Sequence, residues 1–323
     1  MKVILHRQRV HSLFAWRVIC SCFLLGVLFA PVVRGQPIKV TPTYNFDRAV
    51  LPAGGHLWQG LPQPATKIHT TFIHQSLPEQ VNTSQGDLDV DGHLQSAIIQ
   101  VEYALNEEWS LLVHQLGYHR LRPDNTAVIP REDGLRDLYI GAKWHFFEDK
   151  QTGVSWAFRL LGKLPVGSDS VFQGEGNGTI APSFVTLKLL KSAQISFTSG
   201  VEWSLDDRQS DRLVNALSIG YHATKTVTPF FNFTHQYILN AGDGSLKFDR
   251  GNNPQALPEI ARFEAGEFAN LGAEQSEANR NQYTIGLGLR WQATESTTLG
   301  AAASFPLHDE ENGLVSAKWT ADA

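Results

Sequence analysis

Between residues 134 and 189 the chain alternates. In GLRDLYIGAKWHFF every second residue from Leu138 is apolar (Leu138, Ile140, Ala142, Trp144, Phe146), and Tyr139, Gly141, Lys143 and His145 stand between them. A period of two with one apolar face marks a β-strand. After the polar turn EDKQTG, the run VSWAFRLLGKLP sets Val154, Trp156, Phe158 and Leu160 apart from Ser155, Arg159 and Lys163, so the pair predicts a hairpin. QISFTSGVEWSL and QYTIGLGLRWQ keep the same beat, with Ile195, Phe197, Val201 and Trp203 in one and Tyr283, Ile285, Leu287, Leu289 and Trp291 in the other.

Twelve such runs are predicted, at about 66–77, 92–104, 109–120, 135–147, 154–165, 179–190, 194–205, 212–223, 227–239, 281–292, 297–306 and 313–320. Each has the length of a tilted strand that crosses a bilayer. The connections alternate too. NEE, EDKQTG, Lys191-Ser192-Ala193, TKT and ATEST are short, whereas PEQVNTSQGDLDVDG, RPDNTAVIPREDG, VGSDSVFQGEGNG and the stretch 240–280 are long and polar. A sandwich has no reason to sort its turns by length, and a transmembrane barrel does. Trp109, Trp144, Phe146, Trp203, Tyr237, Tyr283 and Trp291 fall near strand ends, where interfacial aromatic girdles belong. The expected fold is therefore all-β, a transmembrane up-and-down antiparallel β-barrel of about 12 strands over 66–323. The facing of strands one, two, three and twelve is left open.

The amino terminus changes the picture of where the chain goes. Residues 1–35 hold five basic residues, no acidic one and the apolar run VICSCFLLGVLFAPVV, which reads as a signal peptide. It also holds both cysteines, Cys20 and Cys22, so the exported part uses no disulfide. Past residue 35 the chain has 22 basic against 32 acidic residues, which speaks against a nucleic-acid partner. Residues 36–65 are too rich in proline and glycine for regular structure, yet they carry Tyr44, Phe46, Leu57 and Trp58. This segment is read either as a plug inside the barrel, burying Phe46 and Trp58, or as a lead-in on its rim.

The stretch 134–190 also resembles a known family. GLRDLYIGAKWHFF, GKLPVGSDS and GEGNGTIAPSFVTLKL are similar to motifs of the outer-membrane proteins grouped under the meta-pathway of phenol degradation, with Arg136 where the family pattern has glycine. The resemblance implies an outer-membrane barrel and a transporter of hydrophobic compounds.

Candidate chemistry lies on the polar faces. Lys143, His145, Arg159, Lys163 and Lys188 are expected in the lumen, with Glu102 and Glu202 as counter-charges and Arg290 beside them. Two readings stand: a cationic ladder that draws an anionic or phenolate-like solute, or ion pairs that fill a narrow barrel. Catalysis is not expected. Ser110 with His114 and Ser218 with His222 have spacings that suit one strand face, but no nucleophile-elbow context surrounds them. His69 and His74 differ by five and point to opposite faces, and no metal-binding spacing occurs. GEGNG lacks a P-loop lysine and precedes a strand. No cofactor or metal is expected. The expected function is a passive outer-membrane channel or transporter in a Gram-negative cell for small hydrophobic or aromatic solutes. Its partners are the lipid bilayer, the solute and the assembly machinery. The alternatives are a structural or surface-interaction barrel whose 240–280 loop meets a partner, or a lipid-modifying enzyme.

Overall fold

The computed structural model describes residues 43–53, 57–77, 80–83, 86–126, 130–174, 176–207, 209–242, 281–307 and 319–322. Residues 1–42, the 243–280 stretch and most of the expected 313–320 strand lie outside them, so the signal peptide and the longest loop are not described.

Alternation builds a meander of antiparallel strands: β1 (Lys67–Ser76), β2 (Gln80–Thr83), β3 (Gly86–Asp89), β4 (Gly92–Ala104), β5 (Trp109–Pro123), β6 (Glu132–Leu135), β7 (Leu138–Asp149), β8 (Val154–Leu164), β9 (Thr179–Leu189), β10 (Ala193–Ser204), β11 (Asp211–Tyr221), β12 (Val227–Asn240), β13 (Asn281–Gln292), β14 (Thr298–Pro306) and β15 (Trp319–Asp322). β2 and β3 pair with each other as a hairpin in the first long connection. β4 pairs with both β1 and β5, and β15 joins β14 to β1, so the sheet closes into a ring. Twelve strands make that ring: β1, β4, β5 and β7 to β15. Closure removes the unpaired edges that a membrane could not tolerate.

The last strand differs from expectation. It runs past its expected end at 320: Ala321 and Asp322 pair with Phe72 and Thr71, next to Thr320 with Ile73. The fourth strand comes in two pieces, because β6 pairs with the upper half of β5 and β7 with the lower half, and the chain breaks at Arg136 and Asp137 between them.

Side-chain parity is inverted relative to a soluble protein. On β8, Leu160 and Leu164 are exposed on the outer face while Arg159 and Lys163 are buried inside. The same holds for Ile140 and Trp144 against Lys143 on β7, and for Leu287, Leu289 and Trp291 against Arg290 on β13. An outer surface of leucine and aromatic rings around a polar interior means that lipid is the solvent of the apolar face. The outer rings gather at two levels. Trp109 is opposite Trp144 in register, with ring centroids 5.8 Å apart, near the short turns, and Trp203, Tyr237 and Tyr283 stand near the long-loop end. Such girdles place indole and phenol groups at the headgroup level.

β5 contains a bulge. Gln115 takes φ 64, and the β4 register jumps between Ile99 and Val101. One inserted residue reverses parity. Outward positions are accordingly Trp109, Leu111 and Val113 below the bulge and Leu116, Tyr118 and Arg120 above it.

A lipid-facing Leu160 gives a direct prediction. Leu160→Arg, near the middle of β8, is expected to destabilise the folded barrel by about 2–4 kcal/mol. On a water-facing surface the same change would stay within about 0.5 kcal/mol. Urea unfolding in phospholipid vesicles separates the two.

Candidate functional site: the barrel lumen

The inner wall is engaged with the chain's own amino-terminal segment. Residues 49–53 and 57–65 run inside the ring, with 43–48 at its short-turn mouth, and polar side chains from different strands hold their main-chain groups. On β7, Lys143 Nζ donates to the carbonyls of Leu61 (2.8 Å) and Gln63 (2.9 Å). On β8, an Arg159 Nη donates to Leu57 O at 2.9 Å. On β12, Asn232 Nδ2 donates to Ala53 O at 2.7 Å, and on β13 Arg290 donates to Leu51 O (3.2 Å) and Pro52 O (3.0 Å). Gln194 on β10 meets both groups of Val50, accepting its N–H at 2.8 Å and donating to its carbonyl at 2.6 Å. Glu102 on β4 accepts from Ala65 N at 3.2 Å. Apart from the single 3-10 turn Phe46–Arg48, the described part of this proline-rich segment has no strand or helix to pair its carbonyls. Burying them inside a barrel requires donors from the wall.

Apolar contacts complete the fit. Leu57 and Trp58 pack with Leu112, Tyr139, Leu161, Ala181, Val214 and Ala216, inward residues of β5, β7, β8, β9 and β11. Phe46 packs on Leu187 and Leu189, and Ala53 on Phe230 and Ala302. Arg159 lies 5.8 Å from the Trp58 ring centre, a cation–π distance. Glycine in the wall makes room for this. A Cβ at Gly200 would come within 2.7 Å of the Trp58 ring, and one at Gly288 within 2.7 Å of Ala53 Cβ. Beside the segment, near Glu102, Lys143 and Arg159, lies a cavity of about 40 Å³. Against it the Gln59 amide is buried without a hydrogen-bond partner.

The sequence-predicted residues fall into three groups. Lys143, Glu102, Arg159 and Arg290 meet on the segment. Lys143 also forms an ion pair with Glu102 at 2.6 Å, and Lys67 reaches the same carboxylate at 3.2 Å. Glu102 further accepts from Ser110 Oγ at 2.9 Å. Higher in the lumen lie Lys163 and Glu202. Lys163 bonds Gln209 and lies 3.9 Å from Asp137, while Glu202 accepts from Tyr139 and Thr179 at 3.0 Å each and stands opposite Arg212 in register. His145 and Lys188 join neither. His145 bonds Ser155 Oγ at 2.9 Å by the short turns. Lys188 corrects the expectation of a lumen position: it shares the outward phase of Ile180 and Phe184. Its Nζ reaches back to Thr152 O at 2.5 Å, as a lysine does when it snorkels from a lipid face. Neither serine–histidine pair forms: Ser110 serves Glu102, and Ser218 donates to Asn232 at 2.6 Å.

Reading the chain missed Asp137, which ties the three motifs of the 134–190 stretch together at the long-loop end. Its carboxylate accepts from Gly167 N (3.0 Å) in GKLPVGSDS and from Gly174 N (2.9 Å) at the start of GEGNG. Its own N–H donates to Gln173 Oε1. Gly174 has φ 74, and a Cβ there would lie 2.4 Å from Gly167 O, so the turn that brings both amides to one carboxylate needs glycine. Gln194 and Asn232 were also missed, although their inward parity marks them.

This is a transmembrane β-barrel with its own amino-terminal segment in the lumen. The chain belongs to the family described as "Putative MetA-pathway of phenol degradation", whose model matches residues 67–317. That match begins at β1, so the lumen segment precedes it. Among curated proteins none matches the chain. Among solved structures a NanC porin is similar at 7% identity and TM-score 0.47, over 79% of this chain and 97% of that one. An outer membrane channel from Pseudomonas putida F1 is similar at 12% identity and TM-score 0.48, over 84% and 96%.

Proposed function

We propose that this protein is an outer-membrane channel for small solutes with an apolar or aromatic body, closed at rest by the segment within it. The observation that carries the reading is the use of the inner wall. Lys143, Arg159, Asn232 and Arg290 spend their donors on carbonyls of a removable, irregular segment, not on the opposite wall as in a barrel filled by its own side chains. A closure built from separate chain can leave and uncover a polar lumen. In this reading the lumen cations hold the closure, and the leader peptide and the assembly machinery bring the chain to its membrane.

A second reading, a sealed structural barrel, is favoured by the small size, about 40 Å³, of the cavity beside Glu102, Lys143 and Arg159. Liposome swelling decides between them. A neutral phenyl glucoside is compared with a non-aromatic disaccharide of similar size, both too polar to cross lipid unaided. Faster entry of the phenyl glucoside is expected. Equal entry of both would leave a channel without aromatic preference, and entry of neither would mean that the segment stays seated, as the sealed barrel requires.

A further inference from the structure

At the short-turn mouth the amino-terminal segment leaves a cavity of about 860 Å³ against the wall, within the range of small-molecule sites. Its charge runs against the composition of the chain. Past residue 35 acidic residues outnumber basic ones, 32 to 22, yet the cavity is lined by Arg48, Lys67, Lys191, Lys225 and Arg290 against one carboxylate, Asp47. Lys67 is engaged by Glu102, and Arg290 by carbonyls of the segment. Arg48, Lys191 and Lys225 are exposed and have no carboxylate within ion-pair distance among the described residues. Neighbouring His222 is held below the ordinary imidazole range by burial, with Arg48 adding to the effect, so it is neutral at pH 7. Ser192, Thr224, Thr226 and Ser296 add hydroxyl donors, while Val50, Leu51, Leu61 and Ile68 give the cavity an apolar side.

We propose that this mouth binds small organic anions with an apolar body, carboxylates or phenolates the size of one aromatic ring. Three unpaired cations in a concave site concentrate an anion by their summed field, and the apolar side takes the ring. This names the charge of the solute in the channel reading and rests on that reading only for the solute's onward route. None of Arg48, Lys191 and Lys225 stood out in the sequence, because two of them lie in short turns and one in the irregular segment.

Isothermal titration of the refolded full chain in uncharged detergent tests it, with benzoate and benzyl alcohol as probes. Benzoate is expected to bind, and more weakly as salt is added; benzyl alcohol is expected to show no heat of binding. Arg48→Gln/Lys191→Gln/Lys225→Gln is expected to weaken benzoate by about tenfold or more, and Asp47→Asn to tighten it by about threefold. Lys150→Gln, which removes an exposed turn lysine outside the cavity, should leave it unchanged. If the triple variant does not fold, Lys225→Gln and Asp47→Asn still give shifts of opposite sign. Equal binding of both probes, or benzoate binding untouched by these changes, would overturn the proposal. Benzoate binding without phenyl glucoside entry removes the channel reading and leaves this site; entry without benzoate binding does the reverse.

Discussion

Removing residues 43–65 is expected to turn a closed barrel into a steady pore. An eight-stranded barrel is filled by its own side chains, and barrels of sixteen strands enclose water. A ring of twelve lies between and needs a filler, which Leu57, Trp58, Phe46 and Ala53 supply here. Without them the small inward residues Ala181, Gly200, Gly288 and Ala302 border open space. The strand ladder that closes the ring does not involve the segment, so the truncated barrel keeps its wall. In planar bilayers the truncated chain should carry at least about ten times the time-averaged current of the full chain. Equal currents, with circular dichroism showing an intact β-barrel in both, would mean that the segment does not close the lumen.

The second large effect is expected at Lys143. Its ammonium is buried, paired with Glu102 at 2.6 Å, and donates to Leu61 O and Gln63 O. Lys143→Met leaves Glu102, itself nearly buried, with Lys67 alone as counter-charge at 3.2 Å, and leaves two carbonyls short of a donor. Breaking a buried pair in this way costs about 3–5 kcal/mol. If that cost falls on the seating of the segment, the closed-to-open ratio drops by about two to four powers of ten. The double change Lys143→Met/Glu102→Gln separates charge from closure. Removing both charges should restore much of the unfolding free energy, while the current stays high because Leu61 and Gln63 still lack their donor. Lys188→Met, on the outer face, should cost about 1 kcal/mol or less and leave the current unchanged. Urea unfolding and bilayer recording give the two readouts, and a quiet bilayer with Lys143→Met would remove this residue from the closure.

Much of this was legible in the chain because lipid and lumen impose opposite demands on alternate residues. β7 and β8 show it best: Ile140, Trp144 and Leu160 read as outward, Lys143 and Arg159 as inward, and the ring places them so. The alternation fails where a third environment enters. Val185, Leu187 and Leu189 are apolar and face inward, because two of them cover Phe46. On β9 hydrophobicity therefore ceases to mark the lipid side, and Lys188, expected in the lumen, is outward. β5 was illegible for another reason. The bulge at Gln115 shifts parity by one, and nothing in WSLLVHQLGYHRL announces where the extra residue sits. Of the lumen residues, the charged ones drew notice, whereas Gln194 and Asn232 sit among apolar or hydroxyl neighbours and do equivalent work as neutral amides. Asp137 was hidden because its partners, Gly167 and Gly174, contribute backbone only.

The wall donates hydrogen bonds to the carbonyls of Val50, Leu51, Pro52, Ala53, Leu57, Leu61 and Gln63. Every amino acid offers that same oxygen. Where a side chain of the stopper does not pack on the wall, as those of Ala53 and Leu57 do, its lettering is thus loosely constrained, and mutational drift at exposed Asp47 and Arg48 can change its polarity, and with it the ease of release, without redesign of the barrel that receives it.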